Sequence, residues 1–478
     1  MKIFVKNNKT LKLESDDDKL IKKISNLLSY KQSGVEYTQA FKNGWDGTIR
    51  LLNKKNECGI GLLSKIKDYL DSNNINYEIE DKRKKPKSEP ELIVNDIGIT
   101  LRDYQQKIVD TCKDNNIGIV RAATGSGKTA CAAYITKQFN KSTIIYVIGL
   151  DLLQQFHDLY SKLFQEEIGW IGNGICNPKR ITIASVWTLG SALELKKASL
   201  TIDDESIKEL PPTIQDKFKI LKCLKEAKVH IIDECHACTC ETLQQIYKYI
   251  DPERIYGLSG TPFRDDGSDL LTEAMLGKII CNVSATELIQ KGVLAQPIIK
   301  FINVPYQAIH VKTFQEVYKE YIVNNDIRNA LILKNTKALI EKKYKPLVLF
   351  KTIEHGKLLY KEFINEGIRC DLLYGNDSLD KRNLIKQQLN DDEIDCIIAS
   401  TIFDIGMDLP KLSALVLGGG GKSKIRTLQR VGRVVRSYKD KTKVAIIDFM
   451  DNTRFLDKHS MIRYQTYLEE EGFKILGK

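Results

Sequence analysis

Apolar and polar positions alternate over residues 2–5 and again over 11–13, as they do along half-buried strands. A helical period follows through Leu20, Ile24, Leu27 and Leu28. Asp46-Gly47 is a tight-turn signal ahead of a short strand at 48–52, and a second helical stretch covers 62–70. This pattern predicts a small α+β domain over residues 1–80. Residues 81–97 open with Asp-Lys-Arg-Lys-Lys-Pro-Lys-Ser-Glu-Pro, whose charge run and two prolines predict a basic linker.

From residue 98 the pattern changes. Short β-branched apolar runs alternate with helical stretches, which predicts parallel sheets flanked by helices. The first set of strands falls at 117–120, 143–148, 181–184, 229–232 and 255–258. The second falls at 347–350, 370–373, 396–399, 414–417 and 444–447. Two α/β domains in series are expected, over 98–295 and 296–460, with a C-terminal tail at 461–478. Residues 195–220 carry no clear strand and read as an insertion in the first α/β domain.

Composition adds a partner. The formal charge of +11 is carried by the ends of the chain. Residues 1–90 hold 19 basic against 13 acidic side chains, and residues 420–478 hold 14 against 7. Basic ends around a near-neutral middle suit a polyanion, because neutralised phosphates release condensed counterions. The 11 cysteines are scattered and odd in number, a pattern of free thiols more than of a disulfide framework. There is no signal-peptide layout and no apolar run of membrane-spanning length. A soluble, cytoplasmic protein without a membrane partner is expected.

The chemistry begins at Ala122-Ala123-Thr124-Gly125-Ser126-Gly127-Lys128-Thr129, between an expected strand and an expected helix. That context defines a P-loop, in which backbone N–H groups wrap phosphate oxygens. Lys128 would place its charge on the β and γ phosphates of ATP, and the Thr129 hydroxyl would ligate Mg²⁺. About a hundred residues later an apolar strand ends in Asp233-Glu234-Cys235-His236. Strand C-termini are where open α/β sheets bind ligands. Asp233 would hold Mg²⁺, and Glu234 would orient and deprotonate the attacking water.

With these two motifs in order, the chain resembles the DExH-type helicases of superfamily two, and the resemblance continues. Leu101-Arg102-x-Tyr104-Gln105 resembles the motif whose glutamine recognises adenine. Ser259-Gly260-Thr261-Pro262 resembles the motif that couples hydrolysis to strand movement, with His236 as its partner. Thr401, Gly406 and Asp408 lie in stretches similar to motif V, which touches nucleic acid and the ATP site. Gln429-Arg430-Val-Gly432-Arg433-Val-Val-Arg436 resembles motif VI, which supplies arginines to the γ-phosphate. Gln429, Arg433 and Arg436 are three or four apart, so one helix face is expected to present them together. The resemblance implies two tandem RecA-like domains with ATP between them.

Over the first 80 residues, Phe41-Lys-Asn-Gly44-Trp45-Asp46-Gly47-Thr-Ile-Arg50 and Gly59-Ile-Gly61-Leu-Leu resemble the N-terminal domain of UvsW-type bacteriophage recombination helicases. That implies a DNA motor acting on Holliday junctions, forks and R-loops, in the host cytoplasm if phage-encoded, and working as a monomer. An RNA motor and a nucleic-acid-sensing ATP clamp are the rivals. Three features have plainer readings. Cys235-His236-Ala-Cys238-Thr-Cys240 is too compressed for tetrahedral zinc, so His236 reads as a coupling residue beside ordinary thiols. Trp45, with Arg50, either stacks on bases or fills the small domain's core, the commoner fate of a tryptophan. Lys82-Arg-Lys-Lys-Pro-Lys87 is either a solvated linker or a strap on phosphates.

Overall fold

The computed structural model describes all residues except 33–34, 36–37, 84–87, 194–211, 237–240, 263–267, 309, 376, 401–408, 437, 439–440 and 478. The chain packs as two units. One is Met1–Ala122 with Gly127–Asn282, and the other is Val283–Lys478 with Ala123–Ser126.

In the first unit, β1 (Lys2–Val5) runs antiparallel to β2 (Thr10–Glu14), with Ile3 opposite Leu13 and Val5 opposite Leu11. Alternation places these four side chains on one buried face. The helix Asp18–Leu27 lays Leu20 and Ile24 into the same core, and Asp17 caps it by accepting from the N–H groups of Lys19 and Leu20. β3 (Ser29–Lys31) and β4 (Thr48–Arg50) make a separate two-stranded ribbon. β5 (Glu57–Gly59) and β6 (Glu78–Asp81) complete a sheet in the order β5-β2-β1-β6. β6 has no apolar period because all four of its residues are exposed; it is held by parallel pairing with β1.

This small domain is built onto its neighbour in the same unit. Its core takes in Ala274 and, at its margin, Ile117 and Leu270. A Cβ added at Gly59 or Gly61 would collide with the backbone carbonyl of Ala274 or of Glu273, on the helix Asp269–Leu276. Glycine is needed there because one backbone lies directly on another. Lys65 pairs with Glu273 at 3.4 Å, and Lys9 Nζ donates to the carbonyls of Tyr247 and Lys248 at 3.2 Å each. Part of the expected linker is pinned as well. Glu89 accepts from the Ser142 N–H at 2.8 Å and faces Arg180 at 3.5 Å, while Val94 bridges Phe164.

The large sheet of this unit comprises β7 (Ile117–Ala122), β8 (Thr143–Val147), β9 (Ile168–Gly172), β10 (Ile175–Asn177), β11 (Ile181–Ser185), β12 (Val229–Asp233), β13 (Arg254–Ser259) and β14 (Ile279–Val283). Their order is β10-β9-β11-β8-β12-β13-β7-β14, and the run from β9 to β7 is parallel. β8, β11 and β12 are buried at every position, as strands covered on both faces must be. β9, β10 and β14 lie outside the sequence expectation: β9 is interrupted by glycines, β10 is three residues long, and β14 carries an exposed Asn282. Of the expected insertion, the described part enters the helix Pro212–Glu226, whose Ile220 and Leu224 join the core.

The second unit holds β15 (Gln296–Val304), β16 (Pro346–Phe350), β17 (Cys370–Leu373), β18 (Cys396–Ser400), β19 (Ala414–Val416), β20 (Lys443–Asp451) and β21 (Lys474–Leu476). They form one parallel sheet in the order β17-β18-β16-β19-β20-β15-β21. Residues 461–468, expected to begin a tail, continue the helix Leu456–Leu468, and β21 adds a strand at the sheet edge. Arg463 ties this helix in, its guanidinium buried against the Asp448 carboxylate at 2.9 Å. The fold class is the expected one: two parallel-sheet α/β domains preceded by a small α+β domain.

Candidate active site

β7 ends at Ala122 and the helix Lys128–Phe139 begins six residues later. Gly125 and Gly127 between them have φ of +87° and +81°, left-handed values that favour glycine. Such a turn bends backbone N–H groups toward one side, a cradle for phosphate oxygens. Gln105 closes the base of the loop, since a Cβ at Gly127 would collide with its amide nitrogen. Its other amide atom accepts from the Arg102 N–H at 3.0 Å, and Arg102 Nη1 donates to Tyr104 Oη at 3.2 Å. Arg102 and Gln105 are thereby fixed at the loop. Lys128 Nζ lies 3.5 Å from the Ala122 carbonyl and 3.8 Å from Glu234 Oε1, with Thr129 half-buried beside it.

β12 brings Asp233 to its C-terminal end with 5% of its surface exposed. Glu234 then has φ of +51°, a left-handed value rare for a residue with a side chain. This breaks strand alternation at the two acids. Asp233 Oδ1 is buried and accepts no hydrogen bond among the described residues. Burial, then the charge of Glu234, push the Asp233 carboxyl well up, against the opposing pull of Lys128. Burial also acts upward on Glu234, but Lys128 and the hydrogen bonds from His236 and Ser259 override it and hold that carboxyl low.

β13 supplies the third part. Ser259 Oγ donates to Glu234 Oε2 at 3.1 Å and accepts from the Thr261 N–H at 3.1 Å. His236 Nδ1 is 3.3 Å from both Ser259 Oγ and Glu234 Oε2. Lys128, Asp233, Glu234, His236, Ser259 and Thr261 are thus gathered at the ends of β7, β12 and β13. A carboxylate oxygen without a partner, beside a cationic lysine and a glycine cradle, fits a divalent cation held with a polyphosphate.

In the second unit the helix Lys424–Val434 carries Gln429 and Arg433. Arg436 does not share their helix face. The helix stops at Val434, the Val435 carbonyl accepts from the Ala295 N–H at 2.7 Å, and Arg436 bridges Leu294 in extended form. Also in this unit, the Thr124 side chain abuts Gly432, and an Arg436 side-chain carbon lies beside Gly125. Arg430, absent from the expected site, is buried and donates to the Gly420 carbonyl at 3.1 Å. Thr401, Gly406, Asp408, Cys238 and Cys240 lie outside the described residues. Trp45 is half-buried in the loop ahead of β4 and is not part of the small domain's core; its indole N–H donates to the Thr48 carbonyl at 3.2 Å. Arg50 beside it is exposed and paired with Asp46 at 2.8 Å.

Three families match along the chain. Residues 1–80 match the family described as DNA helicase UvsW, N-terminal; residues 98–264 match type III restriction enzyme, res subunit; residues 326–438 match the helicase conserved C-terminal domain. The chain is 25% identical over 498 residues to the ATP-dependent DNA helicase uvsW of Enterobacteria phage T4, covering 94% of this chain and 93% of that one. It is 27% identical over 386 residues to the DNA 3'-5' translocase XPB2 of Sulfurisphaera tokodaii, covering 73% and 81%. The solved structure of S. cerevisiae Dbp5 bound to RNA and ADP BeF3 shares the fold at a TM-score of 0.53 and 13% identity, over 78% of this chain and 88% of that one. The fold and the site define a superfamily-two helicase, an ATP-hydrolysing enzyme that acts on nucleic acid. Within that class the chain is a helicase of the UvsW type. No described helix is long and apolar enough to cross a membrane.

Proposed function

We propose that this helicase uses ATP to remodel branched DNA: four-way junctions, stalled forks and R-loops. The observation that carries the chemistry is the half-buried network joining Lys128, Glu234, Ser259 and His236 at three neighbouring strand ends. The match of residues 1–80 supports branched DNA as the substrate. In this reading Gln105 and Arg102 hold the adenine end of ATP, and residues 123–127 cradle the phosphates while Lys128 neutralises them. Thr129 and Asp233 would hold Mg²⁺, which when bound neutralises charge between the β and γ phosphates. Glu234, kept ionised by Lys128, orients the attacking water and takes its proton. Arg433 and Arg436, with Gln429, stabilise charge on the γ-phosphate oxygens, a role worth roughly 10³–10⁵ in rate for an arginine finger. Thr401, Gly406 and Asp408 relay between nucleic acid and nucleotide, and Trp45 and Arg50 meet DNA from the small domain. The protein works as a monomer in the cytoplasm where the DNA is, displacing RNA where it meets an R-loop.

The test is steady-state ATPase at fixed moderate salt, with no nucleic acid, single-stranded DNA, duplex DNA, a four-way junction and RNA. Stimulation by the junction above linear DNA is expected. Stimulation by RNA alone would replace the DNA reading with the RNA one.

A further inference from the structure

Residues 418–421 are four consecutive glycines, one residue after β19 and two residues before the helix that carries Gln429 and Arg433. Four glycines offer no side chain to hold and keep the largest conformational freedom of any sequence. Left alone, such a loop would leave the start of that helix loosely placed. Instead each of its four carbonyls accepts from a different side chain. Gly418 accepts from Arg328 Nη1, Gly419 from Tyr318 Oη at 2.9 Å, Gly420 from Arg430 Nη1 at 3.1 Å, and Gly421 from Arg463 Nη1 at 2.6 Å. The donors come from four helices, at Phe314–Tyr318, Asp326–Glu341, Lys424–Val434 and Leu456–Leu468.

The donors are themselves fixed. Arg328 Nε donates to Asp451 Oδ1 at 2.8 Å. Arg463 Nε and Nη2 donate to Asp448, which also accepts from Tyr467 Oη at 3.0 Å. All of these side chains are buried. The loop also hangs from the sheet, the Gly419 N–H donating to the Leu349 carbonyl at 2.7 Å. Buried ion pairs are weak devices for stability, since desolvation cancels much of their attraction; their better-attested use is to fix one arrangement among several. Here the arrangement fixed is the approach to the arginine-bearing helix.

We propose that Tyr318, Arg328 and Arg463 are positioning residues for ATP hydrolysis: they clamp residues 418–421 and so set where the helix Lys424–Val434 holds Arg433. The proposal rests on the reading of Arg433 as a partner of the γ-phosphate. A displacement of about 1 Å in a catalytic group costs roughly 10²-fold in rate, so a clamp on its supporting loop acts on kcat. The groups read as binding ATP, on residues 102, 105 and 123–129, make none of the clamp's hydrogen bonds; Thr124 meets the helix only by packing against Gly432, so the larger effect is expected on kcat.

The experiment is DNA-stimulated ATPase of the full chain across ATP concentrations, with melting curves, for Tyr318→Phe, Arg463→Lys and Arg433→Ala. Tyr318→Phe removes one hydroxyl and keeps the ring; Arg463→Lys keeps the charge against Asp448 but loses the fork that also reaches Gly421. The expected result is a fall in kcat of roughly 10- to 100-fold for Arg463→Lys and somewhat less for Tyr318→Phe. KM for ATP stays near the wild-type value in both. Wild-type hydrolysis by Arg433→Ala would instead remove the premise about Arg433. An inactive Arg433→Ala beside a folded Tyr318→Phe and Arg463→Lys of wild-type kcat would overturn the clamp. So would losses of kcat that vanish at temperatures where the variants are fully folded.

Discussion

His236 Nδ1 lies 3.3 Å from Ser259 Oγ, and both groups approach the same carboxylate oxygen of Glu234. This joins residues 23 apart in sequence, from the ends of adjacent strands β12 and β13. Ser259 also holds the Thr261 N–H, so a change at Glu234 during hydrolysis reaches the segment after β13 through one hydroxyl. Ser259→Ala should therefore hydrolyse ATP within a few-fold of wild type but unwind poorly. A charge-assisted hydrogen bond of this kind is worth about 1.5–3 kcal/mol, and its loss should fall on coupling. Parallel ATPase and strand-displacement assays decide it; equal losses in both would place Ser259 in hydrolysis alone.

Lys128 lies 3.8 Å from Glu234, and it opposes the burial that would neutralise that carboxyl. Lys128→Ala removes a phosphate ligand and the charge that keeps Glu234 ionised. Hydrolysis should fall to background while DNA affinity, measured by fluorescence anisotropy, stays within a few-fold. Near wild-type ATPase in this variant would remove the P-loop reading altogether.

Much of this arrangement is legible in the residue pattern because its strands are buried on both faces and so read as unbroken apolar runs, as in β8 and β12. The elements that escape the pattern lack that signal: β6 is wholly exposed, and β10 and β21 are three residues long. At the site, the order of Lys128, Asp233-Glu234 and Ser259 is visible because each stands at or shortly after the end of an apolar strand. The left-handed backbone of Glu234 has no residue signature, so the turn that separates the two acids is not. Arg436 shows the limit of spacing arguments, since the helix ends before its periodicity does. The clamp on residues 418–421 is invisible for a different reason. Its donors are scattered from residue 318 to residue 463, and only the fold collects them.

The small domain's attachment makes a prediction about stability. Gly61 sits against the Glu273 carbonyl and the Gly277 backbone, neither of which can rotate aside as a side-chain tip could. Gly61→Ala should cost about 1–3 kcal/mol, the usual range for overpacking, or detach the domain. Urea unfolding with limited proteolysis at residues 81–97 separates these outcomes. A variant with wild-type midpoint and wild-type proteolysis would mean that the contact yields freely.

Acid should weaken the first unit through His230. Its ring is buried in β12, 2.7 Å from Tyr146 Oη, and burial lowers its pKa from 6.5 to about 4. The folded state therefore binds this proton less readily than the unfolded chain does. Its contribution is complete above about pH 6.5 and is lost as pH falls toward about 4. At pH 5 the unfolded chain is favoured by about 2 kcal/mol through this group. His230→Gln keeps a neutral polar side chain and loses the titration. It should be less stable than wild type at pH 7.5, with a gap that closes by about 2 kcal/mol at pH 5 in urea unfolding. A gap independent of pH would show that His230 takes up its proton at the same pH in the folded and unfolded states.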